Sequence, residues 1–133
     1  MKNYIVIALL ILTAISCKKA KADPHVPPNV ELRSGPKFIT GDCTLGKQDT
    51  VMVGISAHKT EDNLKSYNVS YAYDGATTTT TFFNELLKST EYDNYAKDIT
   101  IITRNVAGSE RWVFSIVDRD GNITQKTIII TVQ

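Results

Sequence analysis

The chain has 133 residues, 15 Lys+Arg against 14 Asp+Glu, a net charge of +1 and two cysteines, Cys17 and Cys43. That length suits a single domain with a core large enough to need no staples. From residue 29 onward there are 11 Lys+Arg and 13 Asp+Glu, so this part is near −2. It carries no basic stripe, which argues against a nucleic-acid partner.

Lys2 supplies a positive start, and Ile5–Ile15 is almost wholly apolar. As a helix this run rises about 16 Å, roughly half a bilayer core, so it fits the apolar part of a secretory signal and not a span. Thr13-Ala14-Ile15-Ser16-Cys17 resembles the lipobox of bacterial lipoproteins. In that family the cysteine sulfur takes a diacylglyceryl group and the signal is cut just before it. The resemblance implies a lipoprotein signal peptide over 1–16, lipidation at Cys17, and attachment to the membrane through that lipid. Two acyl chains hold stably where one is marginal, at about 0.8 kcal/mol per buried CH₂. Ala14 departs from the family, which usually has Leu or another bulky residue there. The plainer alternative is an ordinary signal that happens to contain a cysteine.

Lys18–Pro28 reads as a tether, with three lysines, three prolines and little apolar content. Extended, it reaches roughly 35–40 Å. Its lysines suit either a solubilising spacer or contact with lipid phosphates, at about 1 kcal/mol each on an anionic leaflet. The expected organisation is therefore 1–16 signal, 17–28 lipidated cysteine and flexible tether, and 29–133 domain. With Cys17 lipidated, Cys43 has no partner within the chain, and it reads as a small packed residue.

The domain is rich in Thr, Val, Ile and Tyr, and about seven short strands are predicted in a sandwich. Phe38–Thr40 is read as a first strand. In Thr50–His58, Val51, Val53, Ile55 and Ala57 alternate with Thr50, Met52, Gly54 and Ser56, so one face is buried. Tyr67–Tyr73 alternates again. Asp74-Gly75 is expected as a two-residue hairpin turn to a strand at Ala76–Phe83, which pairs Tyr73 with Ala76 and Tyr67 with Phe82 and adds Phe82 to the apolar face. Asn84–Tyr95 is read as one or two helical turns crossing between sheets, Asp98–Arg104 as a strand, and Val106–Glu110 as a turn around Gly108.

Arg111–Val117 and Ile123–Val132 form the last predicted hairpin. Trp112, Phe114 and Ile116 share a face with Ile128, Ile130 and Val132 only if the connection is odd in length, three or five residues. A three-residue loop at Asp120–Asn122 would set Trp112 opposite Ile130.

The stretch Leu64-Lys65-Ser66-Tyr67-Asn68-Val69-Ser70-Tyr71, the closing Val117-Asp118-Arg119-Asp120-Gly121-Asn122-Ile123-Thr124 and the tail Ile128–Val132 resemble small Bacteroidetes-type lipoproteins with immunoglobulin-like or cadherin-like domains. The resemblance spans most of 36–133. It implies an all-β immunoglobulin-like sandwich, an envelope location and a binding or scaffolding role with no assigned activity. The paired cysteines of antibody-type domains are absent from the sequence.

Candidate chemistry is sparse. Asp118, Asp120 and Asn122 place oxygens at alternate positions, but Ile123 and Ile129 stand where a calcium loop of the EF-hand type needs Gly and Glu. A cadherin-like calcium site would need other acids to converge, such as Asp42 or Asp62; the hairpin-turn reading is the simpler one. The two histidines, His25 and His58, have no zinc-ligand spacing. Cys43 with His58 has neither an orienting third group nor an oxyanion hole in view. Thr77–Thr81 suits a half-exposed strand. It also offers hydroxyls to a glycan, with Tyr71, Tyr73, Phe82 and Phe83 close by in the expected register. Asn68-Val69-Ser70 and Asn122-Ile123-Thr124 fit N-glycosylation acceptors by pattern, and Asp49-Thr50-Val51 is similar to an O-glycosylation signal of Bacteroidetes envelope proteins.

The expected function is a non-catalytic binding or adhesion module on the cell envelope, with a glycan or protein ligand and no cofactor or metal. The alternative is a structural subunit docking onto a larger envelope complex. An enzyme would need a nucleophile motif, a metal cluster or a phosphate loop, none of which the sequence carries. Lys18 after the cysteine favours the outer membrane by the enterobacterial pattern. Surface-exported Bacteroidetes lipoproteins tend to carry acids where this chain has Lys18, Lys19 and Lys21, so a periplasm-facing and a surface-exposed position both stay open.

Overall fold

Period-two alternation of apolar and polar residues builds eight strands, one more than expected. They are β1 (Asn29–Leu32), β2 (Cys43–Leu45), β3 (Thr50–His58), β4 (Leu64–Tyr73), β5 (Thr80–Leu86), β6 (Asn94–Ile102), β7 (Gly108–Asp118) and β8 (Ile123–Val132). The computed structural model describes residues 24–133. The expected signal at 1–16, the lipidation site Cys17 and the first part of the tether lie outside the described residues.

One sheet runs β1-β3-β6 and the other β2-β8-β7-β4-β5. Every pair is antiparallel except β2 on β8. The first segment thus gives one short strand to each sheet, and the result is an all-β, immunoglobulin-like sandwich. Between the sheets lie Val53, Ile55, Ile99 and Ile101 from one side and Tyr67, Val69, Trp112, Phe114, Ile116, Ile128 and Ile130 from the other. Each large aliphatic or aromatic side chain buried here contributes about 1.5–3 kcal/mol. Tyr67 is fully buried at the centre, with the Tyr95 and Phe83 rings 5.5 and 5.9 Å away. In immunoglobulin domains a tryptophan on the third strand packs against a disulfide; here a tyrosine takes the central place and Cys43 is free.

The last hairpin has the expected odd connection. Val117 pairs with Ile123 across residues 118–122, and Trp112 faces Ile128, so both apolar sets point inward. The pairing is two residues off the three-residue version, because Asp118 closes the turn itself: its carboxylate accepts the Asn122 backbone and side-chain N–H at 2.8 and 2.9 Å.

Several expectations are corrected. The Asp74-Gly75 turn forms, with both residues at positive φ (52° and 78°) and Ala76 N–H on Tyr73 C=O at 2.9 Å. The chain does not pair at once, however: the Asp74 carboxylate is captured by Arg104 and by the Ser109 N–H. β5 therefore begins at Thr80, and Tyr67 faces Glu85, not Phe82. Phe83 is the ring that meets Tyr67, while Phe82 is 48% exposed. The expected helical stretch over Asn84–Tyr95 shrinks to one 3₁₀ turn at Ser89–Glu91, and β6 starts at Asn94 because all nine residues of β3 find partners on it. Phe38–Thr40 is no strand. Phe38 makes an isolated bridge to Met52, and the first strands are β1 and β2. Gly108 opens β7 instead of centring a turn.

Strand register defines two poles. β1 begins at Asn29 beside His58, which in turn lies opposite Asn94. Residues just before it are held at this tether pole: Thr60 Oγ1 lies 3.0 and 2.9 Å from the carbonyls of Val26 and Pro27, and Thr124 Oγ1 donates to Pro28 C=O at 2.6 Å. At the far pole stand Tyr73, opposite Glu110, and Ile102, opposite Thr50.

Candidate functional site

β5 and β6 are edge strands of opposite sheets, and near the far pole the gap between them is lined by rings. A β-bulge creates it. Val69 pairs with Phe83 and Ser70 with Thr81, so Phe82 is left over in the ladder. Bulges re-aim a side chain in this way. The Phe82 ring stands edge-on to Trp112, with centroids 5.2 Å apart and planes at 81°. Tyr71 lies 5.2 Å from Trp112 and 4.9 Å from Tyr73. Thr100 and Ile102 of β6 complete a cleft of about 350 Å³. Trp112 forms its buried floor at 3% exposure, while Tyr73 and Ile102 stand at its mouth at 37% and 65%.

Behind the rings lies a polar network. Glu110 is buried on the inward side of β7. Its Oε2 accepts the Trp112 indole N–H at 3.0 Å, and its Oε1 accepts the Arg104 backbone N–H at 2.8 Å. The Arg104 guanidinium lies over the Tyr73 ring at 4.7 Å and donates to both oxygens of Asp74, at 2.7 and 2.5 Å. This hydrogen bonding, with a third bond from the Ser109 N–H, pulls the Asp74 carboxyl down to about 2. Burial first, then the nearby Glu110 charge, pushes the Tyr73 phenol up. Gly108 makes the close approach possible: its φ is 147°, and a Cβ there would strike Arg104 and Asp74.

Two other clefts are larger, about 450 and 400 Å³, but each has a single ring in its lining, Phe38 in one and Tyr92 in the other. The aromatic cleft gathers four rings in its lining, Tyr71, Tyr73, Phe82 and Trp112, and so is the candidate site.

The structure brings together Tyr71, Tyr73 and Phe82, as the sequence suggested, beside an exposed Thr77–Thr81. Phe83 is excluded. It faces Tyr67 on the core side, with Lys97 4.9 Å above its ring. Cys43 sits in β2 beside Ile130, its thiol pushed up by burial and by Asp42. His58 lies on the other sheet and bonds Asn94 at 2.6 Å, so no thiol–base pair forms. Asp42 accepts the Ile129 N–H at 2.8 Å. Among the described residues no three His, Cys, Asp or Glu side chains converge on a metal position. Sequence reasoning missed Arg104, Glu110, Thr100 and Ile102. One readable signal was Glu110: an acid on the same strand face as Trp112, Phe114 and Ile116 must be buried.

No protein-family model matches the chain, and no curated protein does. Solved structures similar to it include a β-glucosidase from Listeria innocua, at 9% identity over 80% of this chain with a TM-score of 0.49. This chain spans 16% of that enzyme's length. Others are the BIgI domain of the β protein from S. agalactiae bound to CEACAM1 (16% identity, 79% of this chain and 97% of that one, TM-score 0.44) and murine CRIg (12%, 80% and 96%, TM-score 0.38). At such identities the likeness is one of fold alone.

Proposed function

We propose that this chain is a non-catalytic carbohydrate-binding module of the cell envelope, held at the outer membrane by lipid on Cys17 and binding through the aromatic cleft. The observation that carries the reading is the bulge that turns Phe82 out of the ladder and onto Trp112, beside Tyr71 and Tyr73. Rings in a shallow cleft offer flat apolar faces to the C–H faces of a sugar, and the tyrosine and threonine hydroxyls around them offer hydrogen bonds. Placement supports the same reading: the cleft lies at the pole away from Val26–Pro28, so a tether leading to the membrane would present it outward.

The test is binding of cells carrying the chain to immobilised oligosaccharides, with a fatty-acid label to report lipidation. Loss of the label in Cys17→Ser and loss of binding in Phe82→Ala are expected. Undiminished binding by Phe82→Ala would move the ligand elsewhere. Protease treatment of intact cells decides which face of the membrane carries the domain. A protected domain that no oligosaccharide engages would favour a subunit docking inside the envelope.

A further inference from the structure

We infer that the cleft selects uncharged sugars and rejects acidic ones; this rests on the carbohydrate reading above. An acidic sugar, whether carboxylated or sulfated, needs a cation free to meet it. Among the described residues, none that lines the cleft is a cation. Arg104, the guanidinium beside it, is committed to both oxygens of Asp74. Arg111 stands between Glu110 and Trp112 on β7, so it belongs to the opposite face of the strand, where it donates to the Ala76 carbonyl at 3.1 Å. Lys97 is at 3.4 Å from Glu85. Lys65 and Lys88, the other cations of the elements from β4 to β7, lie at the tether pole, where Ser66 pairs with Leu86. The local field gives an anion no help: the charge of Arg104 is met by the Asp74 carboxylate through both oxygens. A neutral pyranose needs no such help. It stacks on exposed rings and finds hydroxyls, including Thr100, at the rim. About 350 Å³ is at the small end of ligand pockets, which fits a short stretch of sugar and not a wrapped chain.

The experiment uses the full chain in a detergent without a sugar headgroup. Trp112 is the only tryptophan and forms the cleft floor, so its fluorescence reports occupancy directly. Cellohexaose, mannohexaose and chitohexaose are the neutral probes; hexagalacturonate and a hyaluronan hexamer are the acidic ones. The expected result is a shift with at least one neutral probe, unchanged between 50 and 500 mM salt, no shift with the acidic probes, and at least tenfold weaker binding in Phe82→Ala. Ile102→Ala, at a more exposed position, serves if Phe82→Ala fails to fold. Salt-sensitive binding of an acidic probe in preference to the neutral ones overturns the selectivity while leaving the carbohydrate reading intact. No shift with any probe overturns both.

Discussion

Glu110 and Trp112 lie two residues apart on one face of β7, and the buried carboxylate accepts the buried indole N–H at 3.0 Å. The same carboxylate accepts the Arg104 backbone N–H. Removing it leaves the buried indole donor and the half-buried Arg104 N–H without partners, at about 1–3 kcal/mol for a buried one. Glu110→Ala is therefore expected to destabilise the fold by about 2–4 kcal/mol and to shift the Trp112 emission. Glu110→Gln, which keeps one acceptor oxygen but turns its NH2 toward the other donor, is expected to lose about half of that. Urea titration followed by fluorescence measures both. A Glu110→Gln variant that loses nothing would show that packing, and not hydrogen bonding, is what the carboxylate supplies.

Asp74 makes the far pole sensitive to acid. Its carboxyl titrates at about 2 in the folded chain because Arg104 and the Ser109 N–H bond the charged form, against about 3.9 when unfolded. A depressed carboxyl contributes stability above the unfolded value and loses it as pH falls through the folded one. The contribution is thus complete above about pH 5, falls between pH 4 and 2, and is gone near pH 1. In Asp74→Asn this component of the acid unfolding curve should vanish, while the curve above pH 5 is lowered nearly uniformly. Parallel curves for the two proteins between pH 4 and 2 would contradict it.

How much was legible depends on how each strand carries its pattern. β3 alternates, and in β7 and β8 the largest apolar side chains recur at every second position, so their inward faces read directly, and parity alone required an odd loop between Val117 and Ile123. β1 and β2 are four and three residues long, too short for a period to show. Five identical threonines at 77–81 mark no register, so nothing in that stretch reveals that pairing resumes only at Thr80 or that a bulge follows. The cleft was half readable for the same reason. Its tyrosines alternate along β4, but the Arg104–Asp74 pair that frames it joins residues 30 apart, through a turn whose side-chain capture no local pattern encodes.

The Tyr67 hydroxyl is buried in the core and has no hydrogen-bond partner. A donor in that state costs about 1–3 kcal/mol, so Tyr67→Phe is expected to stabilise the chain by about 1 kcal/mol, or roughly 4–8 °C in Tm. Burial also pushes the Tyr67 phenol well above its ordinary value; for Tyr95, burial and then its bond to Glu85 do the same. A raised phenol is stabilising below its unfolded value, near 10, and that stability is lost as pH rises beyond it. Tyr67→Phe should therefore lose less stability than the parent above pH 10. Thermal melts at pH 7 and pH 11 test both parts, and a lower Tm at pH 7 would mean the hydroxyl has a partner after all.

Gly54 sits in the middle of β3 where Arg33, Phe38 and Asp98 close over the strand. A Cβ built there would lie 2.8 Å from Asp98 Oδ1 and 2.9 Å from the Phe38 ring. Arg33 donates to that same Asp98 oxygen at 2.5 Å and lies 5.0 Å from the Phe38 ring, so the three side chains form one unit with no slack over the glycine. Gly54→Ala must push the unit apart, and crowding of this kind costs about 1–3 kcal/mol. The backbone itself would tolerate alanine, since Gly54 is in ordinary strand conformation within the β3–β6 ladder. The cost should thus fall steeply when Phe38→Ala is added, whereas two independent sites would add. A double-mutant cycle in urea measures the coupling. Additive losses would place the strain in Asp98 alone and leave the Phe38 ring free to move aside.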